Sequence, residues 1–223
     1  MSNLKFSKQM SESIKLGVIL AIAGGFMDAY SYMCRGKVFA NAQTGNILLL
    51  GINISERNWH MALHYLVPVL AFAIGIALAD LVKIRTKNLT LLHWRQISVF
   101  CEAVILLSVS FIPQDFNLVA NALTSLACGI QVESFRKIHG NGIATTMCIG
   151  NLRSGTAALS MYMRDKKKEQ LRQAGYYFGV ILAFAIGAGI GGVFSMLYGI
   201  HVIWISCGLL LVSFLLMSLE KYR

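Results

Sequence analysis

The sequence has few charged residues and almost no proline. Charged side chains make up 13% of its 223 residues and there are two prolines, whereas 56% of the residues are hydrophobic. Soluble domains carry about 25% charged residues, so a soluble globular domain is excluded. At about 20 apolar residues per transmembrane helix, the chain has room for membrane segments but not for an extramembrane catalytic domain. We expect a single membrane domain over residues 1–223.

Acidic residues are scarce, and cysteines are few and scattered. The chain has 10 acidic and 20 basic residues, a net charge of +10. The basic residues lie at the ends of apolar runs, as membrane topology signals do, so we expect no nucleic-acid partner. The five cysteines contain no CxxC pair, and they indicate neither a disulfide framework nor a zinc site. We expect no metal and no cofactor.

Long apolar runs are the dominant pattern, and six of them are suited to full membrane spans. They cover residues 14–33, 62–82, 97–112, 117–134, 175–198 and 201–219. Two weaker stretches, 38–54 and 138–162, are rich in Gly, Asn and Thr. Thr44-Gly45-Asn46 interrupts the first of them, and Gly150-Asn151 interrupts the second.

The distribution of Lys and Arg distinguishes two architectures, because cytoplasmic loops collect basic residues. Eight crossings from a cytoplasmic N-terminus would place eleven basic residues inside and eight outside. If the two polar stretches instead enter and leave on the same side, sixteen lie inside and three outside, with Arg153 in a hairpin. We therefore predict an all-α integral membrane protein with six transmembrane helices, two re-entrant hairpins and cytoplasmic termini.

The N-terminal run also allows another interpretation. Lys5, Lys8 and Lys15 precede an apolar stretch that includes Ala21-Ile22-Ala23, a pattern that resembles a signal peptide with its cleavage site. Because the apolar character continues past that site, we expect a retained first helix.

Two parts of the chain resemble each other. Leu70–Gly75 recurs identically as Leu182–Gly187, and an offset of 105 produces the pairs Gly24 with Gly129, Asp28 with Glu133, and Asn46 with Asn151. Each half, about 14–112 and 117–219, then has the order helix, hairpin, helix, helix. Because three is an odd number of crossings, the second half enters the membrane from the opposite side. We therefore predict inverted repeats, an arrangement typical of transporters.

The hairpins hold the candidate substrate-binding residues: Thr44, Gly45, Asn46, Gly150, Asn151 and Arg153. Asn is a good N-cap and Gly permits a tight turn, so we predict that Asn46 and Asn151 cap two half-helices. Helix N-termini present unpaired N–H groups and partial positive charge, which suits an anion or an oxygen-bearing solute. The alternative is that these asparagines satisfy each other and the backbone at a helix crossing.

Asp28 and Glu133 lie inside apolar helices and are candidate pathway or coupling residues. A buried ionisable group in a membrane marks by default a pathway, a proton relay or an ion pair. The alternative is a structural salt bridge or backbone hydrogen bond, with Arg153 as a candidate partner. Glu102 and Asp80 stand nearer the predicted helix ends, so we expect structural roles for them.

The remaining motifs indicate packing rather than chemistry. Gly187, Gly189, Gly191 and Gly192 form a small-residue face that contains GxxxG, which predicts close helix packing. No nucleophile–base pair, metal-ligand cluster or phosphate loop stands out, so we do not expect an enzyme.

The stretch Gly25–Tyr32 (GFMDAYSY), followed by Phe39–Asn46 (FANAQTGN), resembles the opening signature of the YoaK family of bacterial multi-pass membrane proteins, known as domain of unknown function 1275. Length and segment pattern fit over the whole chain. The resemblance implies a multi-pass protein of the bacterial cytoplasmic (inner) membrane, but no activity. The second half has Ile149 in place of Thr44, which argues against a hydroxyl contact from both hairpins.

Taken together, these patterns favour a transporter of a small solute or ion whose site lies at the midplane between the hairpins. A channel with the same parts, or a non-transporting scaffold or sensor, is the alternative. A membrane enzyme would require Asp28 and Glu133 to converge as an acid–base pair. The expected partners are membrane lipid, the small solute or ion, and further copies of the chain in a homo-oligomer.

Overall fold

The computed structural model describes residues 13–86, 94–137 and 142–220, and every regular element in these ranges is helical. The α-helices are α1 (Ile14–Cys34), α2 (Gln43–Ser55), α3 (Trp59–Arg85), α4 (Trp94–Val109), α5 (Asn117–Ser134), α6 (Cys148–Asp165), α7 (Lys168–Tyr198) and α8 (Trp204–Glu220). Short 3-10 helices at Gln114–Phe116 and Gly199–Ile203 precede α5 and α8. Each predicted apolar run contains one α-helix or most of one, so the all-helical class is confirmed.

Three segments of the described chain are long and apolar enough to cross a membrane: Ile14–Cys34, Trp59–Arg85 and Lys168–Leu219. The third has 52 residues, more than twice the roughly 20 that one crossing needs, and it contains both α7 and α8. Several residues used in the topology count lie outside the described ranges: Lys5, Lys8, Lys87, Lys221, Arg223 and the first part of the second predicted hairpin, 138–141.

Helix α1 occupies the centre of the molecule, and α3 lies at its edge. Of the 21 residues of α1, 13 are buried, whereas only 6 of the 27 in α3 are buried. The outer face of α3 exposes Leu70, Ile74 and Leu78. An apolar helix face that the described part of the chain leaves uncovered is typical of a helix in contact with lipid.

Glycine permits the closest helix contacts. A Cβ atom at Gly25 would overlap the carbonyl group of Phe184, and one at Gly187 would overlap that of Ile22, so α1 and α7 touch through their backbones. Small residues allow this approach. The predicted packing role is confirmed for Gly187 and for Gly191, which lies against Phe26, whereas Gly189 faces open space.

The same contact recurs between α5 and α3. A Cβ atom at Gly129 would overlap the carbonyl group of Phe72, and one at Gly75 would overlap that of Leu126. Phe72 and Phe184 are equivalent residues of the repeated sequence in α3 and α7. Gly129 contacts Phe72 as Gly25 contacts Phe184, so Gly129 corresponds in the structure to Gly25. The predicted pairing of Gly24 with Gly129 is therefore one residue out of register in α1 and α5.

Hydrogen bonds at one end of the bundle, here called face A, show which helix ends meet. His64 Nε2 in the second turn of α3 lies 3.0 Å from the carbonyl oxygen of Gly36, just beyond α1. Arg35 Nη1 donates to the carbonyl oxygen of Ile112, just beyond α4, at 2.8 Å. Cys34 Sγ lies 3.8 Å from the carbonyl oxygen of Ser195, near the end of α7. Face A therefore holds the ends of α1, α4 and α7 and the beginning of α3.

The other end of α4 defines face B. Arg95 Nε donates to the carbonyl oxygen of Ser134, the last residue of α5, at 3.0 Å. Gln96 Nε2 donates to Ser218 Oγ, near the end of α8, at 2.9 Å. Helix α4 thus begins on face B beside the ends of α5 and α8.

Candidate functional site at the two short-helix segments

Two segments combine a non-helical stretch with a helix that packs on one neighbour. The first short-helix segment comprises residues 38–55 and ends in α2, which packs on α3. The second comprises residues 142–165 and ends in α6, which packs on α7. The two segments contain all six of the predicted substrate-binding residues.

Asn46 and Asn151 each fasten a short helix to the stretch that precedes it. Asn46 Nδ2 donates to the carbonyl oxygen of Phe39 at 2.7 Å, and Asn46 Oδ1 accepts from the Phe39 amide at 3.0 Å. Asn151 Nδ2 donates to the carbonyl oxygen of Ala144 at 2.6 Å. Both contacts reach back seven residues, and both asparagines are buried. Their amide groups are thus used inside their own segments.

The two asparagines are not helix caps, so that prediction was wrong. Helix α2 begins at Gln43 with Ala42 as its N-cap, and α6 begins at Cys148 with Met147 as its N-cap. Asn46 and Asn151 therefore stand fourth in their helices. Their side chains pair with the backbone of the preceding stretch, which the preference of Asn for N-cap positions does not reveal.

Asp28 binds the turn that leads into α2. Its Oδ1 atom accepts from the Asn41 amide at 2.6 Å, and the amides of Ala40 and Ala42 also interact with the carboxyl group. Backbone N–H donors stabilise a carboxylate. The first segment was predicted to offer backbone N–H groups to an anionic substrate. In this structure N–H groups of the turn before α2 instead donate to the carboxyl group of Asp28.

Glu133 has different surroundings from Asp28. It lies next to the last residue of α5, and its Oε1 atom accepts from Arg136 Nη1 at 3.0 Å. The Arg136 side chain is 67% exposed, and exposed ion pairs add little stability. Since Asp28 and Glu133 have separate partners, the contacts give no sign of a joint carboxyl pair.

The other predicted binding residues lie at the outer surface of their segments or fill space. Thr44, Gly150 and Arg153 are exposed. Gly45 lies under the ring of Phe39, where a Cβ atom would come within 2.7 Å of the ring carbons. A side chain at position 45 would therefore displace that ring.

Polar side chains from both segments and from α5 meet at one turn of α1. Asn41 Nδ2 donates to the carbonyl oxygen of Gly24 at 3.1 Å, and the Thr146 methyl group packs against the same glycine. Gln131 Nε2 donates to the carbonyl oxygen of Leu20 at 3.1 Å. Four residues of an α-helix rise about 6 Å, so these contacts converge within a small region.

Three buried oxygen atoms in this region have no hydrogen-bond partner among the described residues: Asn41 Oδ1, Gln131 Oε1 and Thr146 Oγ1. A buried polar atom without a partner costs about 1–3 kcal/mol, so native proteins rarely retain several together. We call Asn41, Gln131 and Thr146 the polar triad. Sequence reasoning missed these residues, although polar side chains just before the short helices and within an apolar run were a usable signal.

The described residues contain no group of three or more His, Cys, Asp and Glu side chains that could hold a metal ion. The polar triad itself offers amide and hydroxyl groups, which can bind a polar solute by hydrogen bonds.

The helical fold and the apolar segments fit a membrane location and define a class, that of α-helical membrane proteins. Within it, the chain belongs to the family described as "Protein of unknown function (DUF1275)", whose model matches residues 16–216. It is similar to the UPF0700 transmembrane protein YoaK of Bacillus subtilis (strain 168), with 26% identity over 217 residues, 91% of this chain and 95% of that protein. No solved structure matches the chain. The family resemblance seen in the sequence is thus confirmed.

Proposed function

We propose that this protein is a transporter of a small polar solute or ion, with its substrate site at the Leu20–Gly24 turn of α1. The observation that carries the proposal is the polar triad: three buried oxygen atoms, from α5 and both short-helix segments, for which the described chain supplies no partner. A polar solute bound there would supply the missing hydrogen bonds.

The residues first predicted to bind substrate keep a part in this proposal. Asn46 and Asn151 hold the stretches that carry Asn41 and Thr146, and Gly45 lets Phe39 close over α2. Thr44, Gly150 and Arg153 are proposed to line the approach from the outer surface of the segments, where they are exposed. Asp28 and Glu133 are proposed to lie along the path, Asp28 at the inner turn and Glu133 near face B.

The proposal includes six crossings and two re-entrant segments. Helix α1 ends on face A and α3 begins there, so the segment between them leaves on the side it entered. The 13 residues of α2 span about 20 Å, less than the roughly 30 Å hydrocarbon core of a bilayer. Similarly, α5 ends on face B and α7 ends on face A. If α7 crosses once, it begins on face B, so the segment with α6 enters and leaves on face B and is re-entrant.

The same contacts support two inverted repeats. Helix α1 of the first half packs on α7 of the second, and α5 packs on α3 in the same manner. Inverted repeats with broken helices at the midplane are a transporter architecture in which the repeats rock around a fixed site. We place the protein in the bacterial inner membrane with cytoplasmic termini, in contact with lipid and as a homo-oligomer, without a nucleic-acid partner. The separate partners of Asp28 and Glu133 favour transport over enzymatic chemistry.

The proposal is tested by ligand binding followed by flux. The purified protein is screened by thermal stability against inorganic ions and small metabolites at two pH values. A ligand at 100 times its Kd stabilises the protein by about 2.7 kcal/mol. We expect a shift in the wild type that Asn41→Ala abolishes and that the matched control Asn53→Ala retains, since the Asn53 side chain donates to the carbonyl oxygen of Leu49, also in α2.

Compounds that shift the wild type are then tested for flux in liposomes. Saturable flux that Asn41→Ala abolishes supports the transporter. Flux that rises in proportion to concentration favours a channel with the same site. No shift and no flux with any compound contradicts both and favours a scaffold or sensor.

A further inference from the structure

Glu102 is a buried acidic residue in the middle of a helix. It is the ninth of the 16 residues of α4, its exposed fraction is 0%, and it was expected to lie nearer a helix end. Neither carboxyl oxygen has a hydrogen-bond partner within the part of the chain that the structure describes. In this respect it differs from Asp28, whose carboxyl group receives the amide of Asn41.

Among the residues in 13–86, 94–137 and 142–220, the groups around Glu102 offer it no positive charge. The titratable side chains that interact with it electrostatically are the thiols of Cys128 on α5 and Cys207 on α8. On α3, which also contacts α4, Asp80 and Lys83 pair with each other at a half-exposed site. His201, in the 3-10 helix before α8, is exposed. A carboxylate ion at Glu102 would therefore be buried without a counter-charge or a donor.

An unpaired carboxylate in such surroundings is very costly, and the group takes up a proton instead. We propose that Glu102 is a proton-binding site and that it carries the coupling proton of this membrane protein. In the conformation described here it is a neutral carboxylic acid. When a change of conformation admits water, the carboxyl O–H bond breaks, the proton passes to a water molecule, and the carboxylate remains in the wetted site.

Cys128 connects this proton site with the first short-helix segment. The carboxyl groups of Glu102 and of Asp28 both act electrostatically on its thiol. Loss of the proton from Glu102 places a negative charge near a thiol on which Asp28 also acts, and Asp28 holds the turn at Asn41. Through this shared neighbour the charge of Glu102 is proposed to act on the first short-helix segment. The coupling role rests on the proposed transport function, whereas the proton site does not.

Infrared spectroscopy of the purified protein tests the proton site without any assay of flux. At pH 8, exposed carboxyl groups are ionised, because their ordinary pKa values are about 4. We expect the wild type to retain a carbonyl band from a protonated carboxyl group, which Glu102→Gln removes and the control Glu133→Gln leaves. Glutamine resembles the neutral acid in shape, so the variant should fold. If Glu102→Gln does not fold, labelling the wild type with ¹³C-glutamate must shift the band.

A wild type without this band, or a band that survives in folded Glu102→Gln or fails to shift with the label, overturns the proposal. A sodium-dependent gain of stability in a wild type without the band would identify a metal cation there instead. Once a substrate is known, Glu102→Gln should still bind it but transport it at a rate independent of a pH gradient. A wild-type flux that ignores the gradient would overturn the coupling role and leave the proton site in place.

Discussion

The backbone amide of Asn41 donates a 2.6 Å hydrogen bond to the carboxyl group of Asp28, thirteen residues earlier in the chain. This bond joins the middle of α1 to the turn where the first short-helix segment reverses direction. The Asn41 side chain then binds the carbonyl oxygen of Gly24, one turn before Asp28. The position of Asn41 in the polar triad thus depends on α1 at two adjacent turns.

Removing the Asp28 carboxyl group should destabilise the protein. Asp28→Ala leaves the Asn41 amide buried without its acceptor, a cost of about 1–3 kcal/mol. Asp28→Asn retains an acceptor oxygen and should lose less. Thermal unfolding in detergent measures both changes. Asp80→Ala is the control, because that side chain is 55% exposed, and a loss in this control as large as in Asp28→Ala would contradict the assignment.

Alanine at Gly25 should separate α1 from α7. The added Cβ atom overlaps the carbonyl group of Phe184, and overpacking of this kind costs about 1–3 kcal/mol. Gly129→Ala should have a comparable effect on α5 and α3. Gly189→Ala provides the comparison on α7, since a Cβ atom there meets open space. Unfolding temperatures that fall equally in all three variants would disprove backbone contact at Gly25 and Gly129.

Loss of the asparagine amide groups should loosen the short-helix segments. Asn46→Asp removes the donor that binds the carbonyl oxygen of Phe39, and Asn151→Asp removes the donor to Ala144. Proteolysis of the folded protein should then cut within 38–42 or 142–147 at a higher rate. Asn53→Asp serves as control, because it alters a bond inside α2 alone. Unchanged cleavage in the first two variants would show that these bonds do not hold the segments.

Lysine cannot replace Arg35. The Arg35 guanidinium group is fully buried and donates to Tyr30 Oη and to the carbonyl oxygens of Val109 and Ile112 at 2.8–2.9 Å. A lysine ammonium group lacks this planar set of donors. Arg35→Lys should therefore lower the unfolding temperature, whereas Arg164→Lys, at an exposed site, should not. Equal stability of the two variants would refute a structural role for Arg35.

Cysteine labelling tests the membrane topology. Single cysteines are placed beside Arg57, after α2, and beside Lys167, after α6, in a background that lacks the five native cysteines. Six crossings with cytoplasmic termini place the first site outside and the second inside. An impermeant reagent should label only the first in intact cells and both in permeabilised cells. Equal labelling of the two sites in intact cells would exclude this topology.

Much of the helical fold follows from local pattern. Apolar runs of about 20 residues form helices because their backbone polar groups must bond internally in lipid, so the positions of α1, α3 and α5 were accessible from sequence. The GxxxG spacing likewise predicted the contact of Gly187 with α1. These features depend on residues close in sequence.

The site depends on contacts that local pattern does not contain. Asn46 was predicted to cap a helix, but its partner is the backbone of Phe39, seven residues away. The surroundings of Glu102 depend on the side chains that α5 and α8 place next to it. The residue pattern within α4 does not predict which side chains these are. The register error between Gly24 and Gly25 arose because one offset of 105 was applied to the helices and to the short-helix segments alike, whereas the helix contacts of α1 and α5 correspond at an offset of 104.

The contacts of Arg35 also limit how the molecule can move. Its guanidinium group binds carbonyl oxygens beyond α4 and also Asn117 Oδ1 at the start of α5, while Asn121 Nδ2 binds the Arg35 carbonyl oxygen. One side chain thus fastens the end of the first half to the beginning of the second at face A. Any rotation of the halves that keeps these bonds must pivot about Arg35, so displacement grows with distance from it and is greatest at face B.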